Sequence, residues 1–230
     1  MVLRLALIYM FVAVFWALWD QSSGGEWTLQ ATKLDLNVFG VHVYPEQVQI
    51  LNPILILILV PIFNYGIYPA IDRFFPLTPL RKIGIGLFLT ASSFVVLWWI
   101  QLQVDAGQMP TVLWQAPAYI LLTAGEVMVS ITGLEFSYTQ APRKMKSAVM
   151  ALWLFAVSVG NQITSAIDFA KPSLRGIGIN LEGANHYVFF TFFMLVASVV
   201  FVAVARLYRG RTYIQGTEEE ELATAETMSS

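Results

Sequence analysis

Residues 113–137 read LWQAPAYILLTAGEVMVSITGLEFS, and the only charges in this stretch are Glu126 and Glu135. A hydrocarbon core of roughly 30 Å is crossed by about 20 apolar residues in helical conformation, so the stretch is long enough to span a bilayer. Glu126 falls about thirteen residues into it, roughly 20 Å along the axis at about 1.5 Å per residue. A charged side chain near the bilayer centre costs about 2.5 kcal/mol or more, and such residues therefore face a cavity or a partner. Two readings follow: a hydrogen-bonded structural glutamate inside a bundle, or a functional group, which the general rule for intramembrane ionisable residues favours. Ser130 follows at i+4, one turn further along the same face.

Outward from this segment, five more apolar stretches appear at about residues 3–20, 46–69, 82–103, 142–167 and 186–207. The chain is 57% hydrophobic and only 12% charged, far from the balance of a soluble domain. The pattern predicts an all-α membrane protein of six transmembrane helices over residues 1–211, followed by a polar acidic tail at 212–230 with no apolar face, expected to be disordered. Tandem ten-residue alternating segments, the mark of a membrane β-barrel, are not found. Pro53 and Pro61 lie inside the second segment, where bends are expected, and Pro142 fits the first turn of the fifth.

Several function classes are disfavoured. A net charge of −2, without a basic stripe, argues against nucleic acid as a partner. The absence of cysteine removes disulfide and thiolate-metal chemistry, and His42 and His186 stand far apart without ligand spacing. No metal or cofactor is implied. No Ser/His or Asp/Asp pair sits at a spacing that suggests an enzyme.

Ten of the thirteen Lys and Arg residues fall on one side of the six segments: Arg4, then the groups Arg73 to Lys82, Arg143 to Lys146 and Arg206 to Arg211. Lys33, Lys171 and Arg175 fall on the other. The positive-inside rule places both termini in the cytoplasm. The N-terminal segment has no small-residue cleavage site after it and reads as a retained helix. The outer connections are Gln21 to Tyr44, long and polar, a short one around Asp105, and about Lys171 to Asn185.

Other polar and aromatic residues have paired readings. Glu135, near the cytoplasmic end, suits an interfacial salt bridge with Arg143 or Lys144. Asp20 closes the first segment four residues after Trp16, and is either solvated or a gate. Trp153, about eleven residues into the fifth segment and away from the interfacial belts, is either core packing or a cavity wall. Asn52 and Asn64 can join helices or bind a polar solute. Trp98 and Trp99 suit an interfacial belt.

These residues together resemble the proton-dependent oligopeptide transporters, a branch of the major facilitator superfamily, over nearly all of residues 5–209. Phe15-Trp-Ala-Leu-Trp-Asp-Gln with Trp27-Thr-Leu-Gln-Ala looks like the end of that family's seventh helix and the segment after it, and Asn52-Pro-Ile-Leu with Val60-Pro-Ile-Phe resembles the eighth. Most specific is Gly125-Glu-Val through Gly133-Leu-Glu-Phe-Ser-Tyr-Thr-Gln-Ala-Pro to Met145-Lys-Ser, similar to the tenth helix, its loop and the start of the eleventh, which Ala151-Leu-Trp-Leu and Val159-Gly-Asn continue.

The resemblance implies the C-terminal six-helix bundle of a major facilitator fold in a bacterial or inner cell membrane. The short connection at Asp105, in place of a large outer domain, looks bacterial. It further implies that Glu126 holds a peptide's amino end and takes part in proton coupling, that Trp153 and Trp16 stand beside the substrate cavity, that Asn52 and Ser130 give its polar lining, and that Asp20 is an outer-gate acid. Asn64 stands where animal members can carry Asp. The family's Glu-x-x-Glu-Arg motif and a further Lys belong to an N-terminal six-helix bundle that does not precede Met1, so half a binding site is expected here.

The implied function is a proton-coupled symporter of di- and tripeptides working by alternating access, with the proton gradient as its drive, and with peptides, protons, lipid and the N-terminal bundle as partners. The competing readings are a transport-incompetent half acting as a membrane scaffold, or a relative moving nitrate or another small solute. Glu126 disfavours an anion unless it is protonated. The topology is directly testable. With single cysteines at Ser23 and Lys144, an impermeant thiol reagent applied from outside should label the first and spare the second; the reverse pattern overturns the orientation.

Overall fold

The computed structural model describes residues 2–140 and 146–207. Helix α1 (Val2–Asp20) leads to a short α2 (Glu26–Ala31) and a two-residue hairpin of β1 (Asn37–Val38) and β2 (Val41–His42). A 3-10 turn at Pro45–Ile50 opens α3 (Leu51–Ile62), which continues through a π-helical turn at Phe63–Ile67 into α4 (Tyr68–Asp72). Helix α5 (Pro79–Asp105) follows, then α6 (Gln115–Glu126), a π-helical turn at Val127–Ile131 and α7 (Thr132–Gln140). Helices α8 (Lys146–Gly176) and α9 (Ala184–Leu207) complete the bundle.

Five of the resulting helical stretches among the described residues are long and apolar enough to cross a membrane: Pro45–Asp72, Pro79–Asp105, Val112–Thr139, Lys146–Gly176 and Ala184–Leu207. The first helix carries a shorter apolar run, Leu5–Asp20. At 19 residues in all, α1 is about 28 Å long at roughly 1.5 Å per residue, close to the core thickness. Six helices therefore stand where the hydropathy pattern puts six segments, and the molecule is a multi-pass membrane protein.

The α5 helix is the trunk, packed along α9 on one side and α6 on the other, while α1 lies along α8. Its C-terminal half centres on Phe94, fully buried and ringed by Trp27, Phe190 and Tyr187 at centroid distances of 5.7, 6.1 and 6.3 Å. In a bilayer, lipid tails are as apolar as the side chains, so close van der Waals packing of small residues joins the helices. At Gly125 a Cβ would stand 2.6 Å from Thr90 Oγ1 and 2.8 Å from the Gly86 carbonyl, so α5 and α6 meet backbone to backbone there. At Gly160 a Cβ would stand 2.5 Å from the Ala13 carbonyl, which makes the same kind of contact between α1 and α8.

Two expectations are corrected. The connection from Gln21 to Tyr44 is not simply a polar loop. Its Trp27 is fully buried, and Tyr119 stands against that ring at 4.8 Å. Asp35 ties the hairpin to the start of α6 by accepting from Val112 N at 2.9 Å and donating to the Pro110 carbonyl at 2.9 Å. The hairpin itself turns through Phe39 and Gly40, both at positive φ (50° and 84°), as a tight two-residue turn requires.

The fifth span does not end near residue 167 but runs to Gly176, through Pro172. The charges at its C-terminal end do not stop the helix because Lys171 is paired with Asp168 one turn below (2.9 Å) and with Glu26 of α2 (2.5 Å). Pro53 lies in the first turn of α3, directly after the 3-10 turn. Pro61 is followed instead by the π-helical turn, the usual way a freed carbonyl is re-satisfied. Pro142, the Arg143–Lys144 pair and the tail at 212–230 lie outside the described residues.

The glycine contact between α1 and α8 makes a stability prediction. Gly160→Ala should lower the apparent thermal midpoint in detergent by several degrees, matching an overpacking cost of about 1–3 kcal/mol. Gly66→Ala, where a Cβ meets nothing within 4 Å, should leave it unchanged. Equal midpoints for wild type and Gly160→Ala would show that the two helices separate freely.

Candidate functional site

Glu126 is the last residue of α6, at the point where the helix widens into its π-helical turn. Its Oε2 accepts two hydrogen bonds, from Asn52 Nδ2 of α3 at 2.7 Å and from Trp19 Nε1 of α1 at 2.9 Å. Asn52 is itself buried and also donates to Thr123 Oγ1 at 3.1 Å. One carboxylate thus gathers three helices. A buried charge needs charge-assisted donors of this kind, and each such bond contributes about 1.5–3 kcal/mol. Both donors go to Oε2, and Oε1 has no hydrogen-bond partner among the described residues.

Trp16 stands beside this centre and packs edge-on against Trp19 at 5.1 Å. Its Nε1 is buried without a partner among the described residues, and its Cβ lies over Gly160. Ser130 is half-buried like Glu126, on a turn otherwise buried at Val127, Met128 and Val129, which keeps the two on one face. Its Oγ likewise lacks a partner. Asp20 follows Trp19 directly and stands close enough to Asp168 of α8 for the two acids to interact.

Trp153 belongs to a different contact. Only 5% of it is exposed; its ring lies over Gly133 and edge-on to Tyr9 at 5.7 Å, so it offers little surface to a solute. Asn64 is exposed on the π-helical turn after α3, in a 440 Å³ pocket with Tyr68 and Lys82, whose ammonium sits 3.9 Å from the Tyr68 ring centroid. Glu135 is exposed on α7, and its expected partners Arg143 and Lys144 lie outside the described residues.

The sequence reading missed two members of the Glu126 centre, Trp19 and Thr123. A signal for Trp19 was present in its i, i+3 spacing from Trp16, but nothing in one chain tells which of two neighbouring indoles reaches across to another helix. Also missed was the polar cluster at the opposite end from the basic loops. There Lys171 joins Glu26 and Asp168, and the buried His186 sits with Nδ1 4.0 Å from Glu26. Gln21 Nε2 donates to the Ala17 carbonyl at 3.3 Å, which leaves its Oε1 to accept from His186 Nε2 at 2.7 Å and so fixes that proton on Nε2. The cluster closes α1, α2, α8 and α9 together at that end.

With this arrangement in view, comparison with known proteins is informative. The profile of the POT family matches residues 1–171. The chain belongs to the POT family. Among its relatives, Peptide transporter PTR2 of Saccharomyces cerevisiae is 32% identical over 177 residues, covering 70% of this chain and 28% of the relative. Peptide transporter 3 of Caenorhabditis elegans is 45% identical over 103 residues, covering 45% of this chain and 15% of the relative. Two solved POT family structures superpose closely. An auto-inhibited peptide transporter gives a TM-score of 0.84 at 32% identity over 93% of this chain and 42% of that one. The transporter PepTSo gives 0.80 at 39% identity over 90% and 41%. The chain spans less than half the length of each of these proteins.

The POT fold of this chain hangs on a bond network that a double-mutant cycle can read. Asn52→Ala and Glu126→Ala, scored by unfolding in detergent, should couple by about 1.5–3 kcal/mol, because either change alone breaks the charge-assisted bond. Asn52→Ala with Ser130→Ala should be additive to within about 0.5 kcal/mol. A coupling near zero for the first pair would mean that the amide and carboxylate do not meet in the membrane.

Proposed function

We propose that the chain is the C-terminal half of a proton-coupled symporter of di- and tripeptides, a transporter and not an enzyme, resident in the inner cell membrane with both termini cytoplasmic. The observation that carries this reading is the Glu126 carboxylate, held from one side only. Asn52 and Trp19 fix Oε2, which leaves Oε1 open to a solute. A carboxylate so placed can take either a proton or a peptide ammonium, and the two exclude each other. Protonation releases the amino end and deprotonation recovers it, so exchange at one group ties peptide movement to the proton gradient without any cofactor.

The remaining site residues take supporting roles. Asn52 positions Glu126 as well as lining the cavity, and Ser130 offers its unpartnered hydroxyl one turn further along. Trp16 forms an aromatic wall with Trp19, and Trp153, resting on Gly133 and Tyr9, stands further along the bundle as a second aromatic beside the cavity. Asp20, at the end of α1 and facing Asp168, acts as an outer gate whose opening is favoured by repulsion between the two acids. The other half of the cavity comes from an N-terminal six-helix bundle, as in transporters that place substrate between two halves. Relatives named as peptide transporters, matched at 32–45% identity, support the substrate class.

In the complete transporter Glu126→Gln keeps shape and hydrogen bonding but removes the titratable charge. The variant should insert and fold, with proton-driven dipeptide uptake reduced on the order of 100-fold, as expected when a charge-assisted contact of about 3 kcal/mol is lost. Glu135→Gln should lose much less. Uptake at the wild-type rate in Glu126→Gln would sink the reading, and misfolding of that variant would make Glu126 a structural glutamate.

A further inference from the structure

At the basic end of the bundle a groove of about 740 Å³ opens beside α5 and α9, within the range of about 300–1,000 Å³ typical of ligand sites. Its accessible lining is apolar, formed by Ile85 and Phe88 of α5 and Val202 and Ala205 of α9. The α9 span is only 22% buried in the bundle and has the highest mean hydropathy of the five, 2.7, so the groove opens on a surface made for lipid. Two cations stand at the mouth, Arg81 at the start of α5 and Arg206 at the end of α9, and no acid lines the groove among the described residues.

The Arg81 guanidinium is already oriented. One nitrogen donates to the Pro76 carbonyl at 2.6 Å, and the group lies 4.2 Å over the Phe75 ring. A single bond of that kind uses one of five N–H donors, and the rest stay available. Arg206 has no ion-pair partner among the described residues. An apolar trough capped by two exposed guanidiniums has the chemistry of a phospholipid of net negative charge: acyl chain below, phosphodiester above. Arginine suits the phosphate because its planar donors engage two oxygens at once.

We propose that this groove beside α5 and α9 is a binding site for an anionic phospholipid, its phosphate held between Arg81 and Arg206 and an acyl chain laid on Phe88 and Val202. The site is separate from the Glu126 centre and does not depend on which solute the protein moves. It places a lipid contact at the basic end of the molecule.

Native mass spectrometry of the full chain, released from detergent with dioleoylphosphatidylglycerol or dioleoylphosphatidylcholine added, tests it. The two lipids share acyl chains and differ in headgroup charge. At a contribution of about 1 kcal/mol per basic residue, the anionic lipid should be retained roughly tenfold or more over the zwitterionic one. Arg81→Gln with Arg206→Gln should bring the ratio to about one, whereas Arg73→Gln with Lys146→Gln, equal in charge and outside the groove, should leave it in place. Ala205→Phe, which fills the trough and keeps both cations, should reduce retention of both lipids. Equal retention of the two lipids by the unmodified chain overturns the proposal, as does an equal loss of selectivity in the two double variants. Glycerol phosphate competing as well as the intact lipid would overturn the acyl-chain part and leave only a phosphate site.

Discussion

A carboxylate inside a hydrocarbon layer constrains everything around it. At about 2.5 kcal/mol or more for a bare charge near the bilayer centre, Glu126 is tolerable only if other groups solvate it, and here the solvating groups come from two other helices. The consequence is geometric. Asn52 must reach in from the first turn of α3 and Trp19 from the last turn of α1, so these two helix ends are fixed against the middle of the fourth span. Gly125, one residue earlier, lets α6 touch the α5 backbone, and the π-helical turn begins one residue later. A backbone widened by one residue per turn re-aims the side chains beyond it, and such turns gather at functional positions.

The spans and the central glutamate were legible in sequence because each has a one-dimensional signature: an apolar run of sufficient length, and a charge inside it. Asn52 and Ser130 were legible for the same reason. What hydropathy does not encode is the partner of a polar group. Lys171 read as the end of a helix because a lone cation belongs at the membrane surface, yet with Asp168 and Glu26 beside it the charge is neutralised and the helix continues to Gly176. Trp27 read as part of a polar connection because its neighbours are polar, although its ring is fully buried against Phe94 and Tyr119. Glu26 lies 145 positions from Lys171, and Phe94 and Tyr119 lie more than sixty from Trp27, so a window of about twenty residues does not contain these partners.

The two ends of the bundle are built on different principles. One end is closed by direct ionic and hydrogen bonds among Glu26, Asp168, Lys171, His186 and Gln21, which tie four helices together. The other end has its cations arranged over rings and carbonyls, with Lys82 on Tyr68 and Arg81 on Phe75, and so uses weaker and more adjustable contacts. Cation–π contacts contribute about 0.5–1 kcal/mol at exposed sites, and the partly exposed Lys171 pairs are of similar size each, but at that end they act together with the buried Gln21–His186 bond. Opening and closing should therefore be cheaper at the basic end, and a lipid phosphate bridging α5 and α9 there would act on the more compliant of the two.

Burial within the bundle separates scaffold from working surface. The α5 and α6–α7 spans are 56% and 61% buried, while the α3 span is 6% buried and the α8 span 22%. A helix that buries so little of itself has faces made for something other than this bundle, either lipid or a second set of helices. Asn52 is the exception on α3, the one residue of that helix which is buried, and it is buried by Glu126. The most weakly packed span is thus anchored through the most costly side chain. Loss of the charge on Glu126 would weaken its bonds to Asn52 and Trp19, and with them the hold on α3 and α1 rather than the packing of the trunk.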